Sequence, residues 1–375
     1  MNKGEQKKTN FKKFQLILLG LNILFVTEFL FILFSTEHFY HYLSFTHFLL
    51  FIILYFAITF LAKHTHELGH FVLGKLIGYQ LIFYRNGIFE WRKQDDKLKL
   101  AFYINPRLRC CCYMLPKTHQ QSYKLRMIWY SGGMIMDCIF LAAIFCFLLF
   151  TNFYYHPFIF FLLATANLVY EVHLAKHILP YTDSLKPTDG EVILGLIHQD
   201  TFAKQILALD NITIQLTYEK RPRDIEYDKQ LFESSHNGFQ YFSYILFVYY
   251  KALDSNDTAL MQSTITYIEA HIQQITVCQL PIFYYELVYY YSAIKLDIDK
   301  AQYYYQPIKT MLQLDQDING YRVLGSYEYF IKNNKEKALE CIAKSIISTK
   351  KFTSKGQLMM EKDLIAKLQR QIVTN

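Results

Sequence analysis

Residues 45–70 read FTHFLLFIILYFAITFLAKHTHELGH, and the way the first half runs into the second decides the fold. Positions 45–63 are almost wholly apolar, close to the roughly 20 residues a helix needs to cross a bilayer. The run continues into His66-Glu67-Leu68-Gly69-His70. On an α-helix His66 and His70 stand one turn apart on one face, so both imidazoles can reach one metal ion at about 2.0–2.1 Å, with Glu67 beside it to take a proton from an attacking water. Two histidines and a glutamate at membrane depth are expensive to place there, which marks them as functional. His64, two residues before His66, points to another side of the helix and reads as interfacial.

Outward from this stretch, positions of about 14–35, 127–151 and 157–179 also reach or approach membrane-spanning length. The start, MNKGEQKKTNFKKF, is basic like a signal peptide. The apolar stretch after it runs to about Phe34 without a small-residue cleavage pattern, so it reads as a retained first transmembrane helix. Lys3, Lys7, Lys8, Lys12 and Lys13 precede that helix and ten Lys or Arg fall in 79–126, whereas 36–44 and 152–156 carry none. By the positive-inside rule both termini and the middle loop are cytoplasmic. The second helix then enters from outside near Phe45 and reaches His66 after roughly 20 residues at 1.5 Å each, which puts HELGH near the cytoplasmic face. This topology accounts for the net charge of +7, and no basic stripe with stacking aromatics speaks for nucleic acid. Seven cysteines, Cys110-Cys111-Cys112 in tandem and none in CxxC spacing, fit reduced thiols rather than a disulfide framework.

The composition, 52% hydrophobic with 32 Phe and 31 Tyr, is uneven along the chain and implies a membrane part followed by a soluble one. The reading gives residues 1–44 as a transmembrane helix with an external loop and 45–195 as a membrane core. Within that core, Gln80-Leu-Ile-Phe-Tyr and Lys97-Leu-Lys-Leu-Ala-Phe-Tyr-Ile around Arg85-Asn86-Gly87 imply a small β insert at about 79–105. Residues 196–375 form a soluble α-helical domain. There the turns before Ala259, Ala301 and Ala338 suggest tetratricopeptide-like helical hairpins, against the plainer reading of a helical bundle with an accidental rhythm. The fold class is thus an all-α membrane protein of four transmembrane helices with a small β insert, followed by that helical domain.

A third metal ligand ought to be a His, Glu or Asp near the same membrane face. The end of the fourth helix, His177-Ile-Leu-Pro180-Tyr-Thr-Asp183-Ser-Leu-Lys-Pro187-Thr-Asp189-Gly190, offers Asp183 and Asp189. Only Asp189 is followed by a glycine that lets the backbone turn tightly. Asn167, Glu171, His173 and His177 recur every few residues on that helix and should face the bundle interior or a water path. They read as cavity lining or as partners that orient the metal histidines, or, for His173 and His177, as a second metal site. Glu28 in the first helix should pair with a buried polar partner.

HExxH on one membrane helix with His-x-x-Pro and Asp-Gly on a later one resembles the paired motifs of the site-2 protease family of intramembrane metalloproteases, where the second motif is Asn-x-x-Pro…Asp-Gly. Ser131-Gly132-Gly133-Met-Ile-Met-Asp137 is similar to that family's small-residue segment on the intervening helix. His177 and Asp137 stand where the family has Asn, and eight residues separate Pro180 from Asp189, more than is common in the family. The match covers about residues 45–195. It implies a Zn2+ site of His66, His70 and Asp189, Glu67 as the catalytic residue, and His177, Asn167, Gly132 and Asp137 as cavity or substrate-positioning residues. The implied activity is endopeptidase cleavage of membrane-embedded or membrane-associated peptides or regulatory proteins near the cytoplasmic face of a bacterial cell membrane. The insert would offer a strand edge to an extended substrate, and the C-terminal domain a concave face to a protein partner. The alternative is an inactive membrane scaffold or immunity-type protein of the same fold; a transporter would want more than four helices and an inverted repeat.

Overall fold

The computed structural model describes residues 3–34, 45–86, 89–94, 97–102, 111–116, 122–150, 156–181, 187–218, 220–233, 238–277, 279–349, 352 and 354–374. Asp183, Gly87, Cys110 and the connections at 36–44 and 152–155 lie outside the described residues. The chain divides into two compact units, Met1–Arg92 with Leu100–Ala203, and Lys93–Lys99 with Lys204–Asn375.

In the first unit α1 (Lys3–Phe34), α2 (Phe45–Leu76), α3 (Tyr123–Phe150) and α4 (Pro157–Ile178) each contain a segment long and apolar enough to cross a membrane. Half of the α4 span is buried against 6% of the α1 span, so α4 is the interior helix. The others turn Phe31, Phe56 and Phe145 outward. Phe29 of α1 packs on Phe160, Phe161, Ala164 and Leu168 of α4. Ile58 and Ala62 of α2 meet Ile144 of α3 and Val169 and Tyr170 of α4. Where α2 crosses α3, a Cβ on Gly69 would run into the Gly132 carbonyl and one on Gly132 into the Gly69 backbone. The two glycines therefore set how closely these helices approach.

Between α2 and α3 lies a sheet of β1 (Gln80–Asn86), β2 (Phe89–Gln94), β3 (Lys97–Phe102) and β4 (Cys111–Leu115) in the order β3-β2-β1-β4. β1 pairs antiparallel with both β2 (Asn86↔Phe89) and β4 (Tyr84↔Cys112). The sheet thus extends past the 79–105 read from sequence. Cys-Cys-Tyr-Met-Leu lacks polar–apolar alternation because Cys112, Met114 and Leu115 are all buried, the first two against Tyr79, Leu81 and Trp129. After α4, Leu179 is extended before Pro180 (φ −64, ψ 127), since a proline disfavours helix in the residue before it. α5 (Asp189–His198) then begins.

Apart from Lys93–Lys99 at the ends of β2 and β3, the second unit is helical: α6 (Thr201–Thr217, its first three residues in the first unit), α7 (Gln230–Glu233), α8 (Phe239–Ser255), α9 (Thr258–His271), α10 (Leu280–Tyr289), α11 (Ile298–Tyr305), α12 (Lys309–Leu314), α13 (Ile318–Phe330), α14 (Lys335–Ser348) and α15 (Lys355–Thr374). Three of its turns share one construction. A left-handed residue, Asn256, Leu296 or Asn333, precedes a cap, Asp257, Asp297 or Asn334, whose side chain accepts the N–H three residues on. Four residues after each cap the buried positions are Met261, Ala301 and Ala338. Ala259 is exposed, so the first turn falls two residues out of the alanine register read from sequence. Arg322 of α13, fully buried, donates to Glu286 of α10 at 2.8 Å and to Glu361 of α15 at 2.6 Å, its guanidinium over the Tyr289 ring. Removing one partner of such a buried set costs about 3–5 kcal/mol, so this triad ties three helices together.

Candidate metal centre

α2 delivers His66 and His70 to one face, and the start of α5 delivers Asp189 opposite them. His66 Nε2 lies 2.9 Å from Asp189 Oδ2 and 3.2 Å from His70 Nε2, and Asp189 Oδ2 lies 3.5 Å from His70 Nε2. A tetrahedral ion with ligands at about 2.0–2.1 Å separates its ligand atoms by about 3.3–3.4 Å. The three donors therefore already stand at the spacing such an ion needs. His66, His70 and Asp189 form one of the two groups among the described residues that could hold a metal ion.

The outer nitrogens of both histidines are held. His70 Nδ1 lies 2.8 Å from the Trp129 carbonyl oxygen and His66 Nδ1 2.7 Å from Asp137 Oδ2. A carbonyl and a carboxylate only accept, so each Nδ1 donates, and Nε2 is the atom each imidazole would turn to an ion. Space for the His66 ring comes from Gly133, where a Cβ would lie inside the imidazole. Glu67 is buried, and its Oε2 accepts the Cys112 backbone N–H at 2.6 Å, so β4 touches the residue beside His66. The Cys112 thiol is pushed up by burial and by the nearby Glu67 and stays protonated.

Asp189 is placed by the turn before it. Thr188 accepts the Glu191 N–H (3.2 Å) as the α5 cap and donates to the Leu179 carbonyl (2.7 Å), fastening the new helix to the end of α4. Gly190 allows the same approach, since a Cβ there would strike the Ile178 carbonyl. As the first residue of α5, Asp189 places its charge at the positive end of the helix dipole. Burial would raise its carboxyl, but His70, His177 and His66 around it hold it well below the usual carboxylate range.

Of the other residues singled out by sequence, His177 Nδ1 lies 3.1 Å from Asp189 Oδ2 and Asp137 anchors His66. Gly132 meets the HELGH helix through its backbone. Asn167 lies elsewhere: ten residues before His177 on α4, about 15 Å along the axis, it donates to Glu171 Oε1 at 2.7 Å. Glu171 in turn comes within hydrogen-bond reach of Glu28. His64 Nδ1 contacts the Tyr84 hydroxyl at 3.2 Å instead of the ligand cluster. The Trp129 carbonyl and the Cys112 N–H are backbone atoms and leave no mark on residue type, so neither is legible in the sequence. Gly133 was visible only as part of a small-residue segment.

Chemically, two imidazoles and one carboxylate suit a divalent ion such as zinc with a coordination position left over, and a carboxylate next to it suits proton transfer. Compared with known proteins, the chain matches no protein-family model, no curated protein and no solved structure.

Proposed function

We propose that this chain is a zinc-dependent intramembrane endopeptidase of the site-2 protease kind. The observation that carries the reading is the convergence of His66, His70 and Asp189 at 2.9–3.5 Å beside the buried Glu67, with His66, Glu67 and His70 on a helix of membrane-spanning length. Zinc held by these three residues would supply a Lewis acid that polarises a water and lowers its pKa.

Glu67 takes the proton from the attacking water and returns it to the departing amine. The Cys112 N–H keeps one of its oxygens fixed while the other remains for this transfer. Asp137 and the Trp129 carbonyl hold the two imidazoles in register throughout. The substrate is a membrane-embedded peptide or protein segment that unwinds locally, because a helical carbonyl in lipid is already hydrogen-bonded. The strand edge nearest Glu67 is that of β4, and it offers main-chain groups to the extended segment. In this reading both termini are cytoplasmic, cleavage occurs near that face, and the capped hairpins of the second unit form a tetratricopeptide-like surface for a protein partner.

The test is co-expression of single-span membrane substrates with the wild type and with Glu67→Gln. The wild type is expected to release cleaved fragments and Glu67→Gln to leave every substrate intact. Equal processing by both refutes the reading.

A further inference from the structure

His173 is held in the way metal-ligating histidines are held, although HELGH does not account for it. Such imidazoles keep one nitrogen against a carboxylate or carbonyl, which turns the other toward the ion. His173 Nδ1 lies 3.1 Å from Asp137 Oδ2, the same oxygen that holds His66 Nδ1 at 2.7 Å. Asp137 is fully buried. One carboxylate oxygen thus orients imidazoles from α2 and α4 by the same nitrogen and leaves both Nε2 atoms for another partner. His177 follows His173 by one helical turn. Ring centroids lie 4.0 Å apart for His66–His177, 4.6 Å for His173–His177 and 5.1 Å for His66–His173. One ligand atom from each of the three lies within 4.8 Å of the others.

We propose that His66, His173 and His177 form a second transition-metal position that overlaps the first at His66. The proposal rests on the reading of His66 and His70 as metal ligands. Three imidazoles suit zinc, nickel and copper(II), with copper(II) bound tightest. His66 Nδ1 is occupied by Asp137, so His66 serves both positions through Nε2 and one ion is held at a time. The three-imidazole set does not include His70 or Asp189. The wild type favours the first position, whose carboxylate charge offsets that of the dication, and the second keeps the metal close by when that carboxylate is disengaged.

The experiment uses the purified full-length protein in detergent with Zn2+ alone as the probe, reading metal content and the zinc-edge X-ray absorption spectrum. Wild type is expected to hold one zinc per chain with mixed nitrogen and oxygen ligation. Asp189→Ala should keep its zinc with three imidazole nitrogens, and adding His173→Ala or His177→Ala to it should weaken binding by at least about tenfold. His70→Ala, on a different helix, repeats the comparison should Asp189→Ala fail to fold by gel filtration. If Asp189→Ala and His70→Ala already lose zinc as completely as the double variants while wild type keeps it, the second position is refuted and the first stands. A wild type that binds no zinc refutes both.

Discussion

At the scale of single residues, the centre depends on groups that have no chemistry of their own. Gly133 exists at its position because the His66 imidazole fills the place where a side chain would be, and interiors packed this closely do not absorb an added methyl group without displacement. Gly133→Ala should therefore push the His66 ring off its axis and weaken zinc binding by at least about tenfold, the size of effect seen when a ligand's orientation is disturbed. Competition against a chelator measures this, and an unchanged affinity would show that the ring is held by Asp137 alone. His66, Glu67 and His70 are legible in the sequence because their roles follow from a fixed helical spacing. The anchors that orient them, Asp137 and the Trp129 carbonyl, lie 71 and 59 residues from their partners, where no local pattern can connect them.

Among the elements, three of the membrane-length spans are legible to within about four residues, because hydropathy over about 20 positions is a strong signal, whereas the helix that carries HELGH runs on to Leu76, well past the apolar stretch. β4 is not legible: Cys112 and Met114 are buried and Cys111 and Tyr113 half-buried, but all four residue types are apolar or aromatic, so the alternation leaves no polar–apolar pattern in sequence. α5 gives the clearest link from a local rule to the site. Its cap, Thr188, accepts from the first turn of α5 and donates to the carbonyl of Leu179, the residue that caps α4, so it fixes Asp189 relative to the helix that carries His177. Thr188→Ala should cost about 1 kcal/mol of stability, the usual value of a lost N-cap, and lower zinc affinity along with it. Thr188→Ser should restore both. Denaturant unfolding and zinc titration on the three proteins check this, and loss of affinity in the serine variant as well would mean that the cap does not position Asp189.

For the whole molecule, the charge pattern and the uneven hydrophobicity mark off a membrane-length part; the structure divides into Met1–Arg92 with Leu100–Ala203, which holds the four membrane-length helices, and Lys93–Lys99 with Lys204–Asn375. What sequence could not supply was how the second unit holds together. Arg322, Glu286 and Glu361 are drawn from three helices at separations of 36 and 39 residues, and in sequence they resemble any solvated charges. The capped turns were easier to see, although the alanines that flagged them mark the buried position in only two of the three. The central claim, that HELGH and Asp189 form a single zinc centre, is tested most directly by the zinc-edge X-ray absorption spectrum of the wild-type protein. Two imidazole nitrogens and carboxylate oxygen at about 2.0–2.2 Å are expected. A protein that takes up no zinc, or a sulfur shell at about 2.3 Å from the neighbouring cysteines, would contradict it.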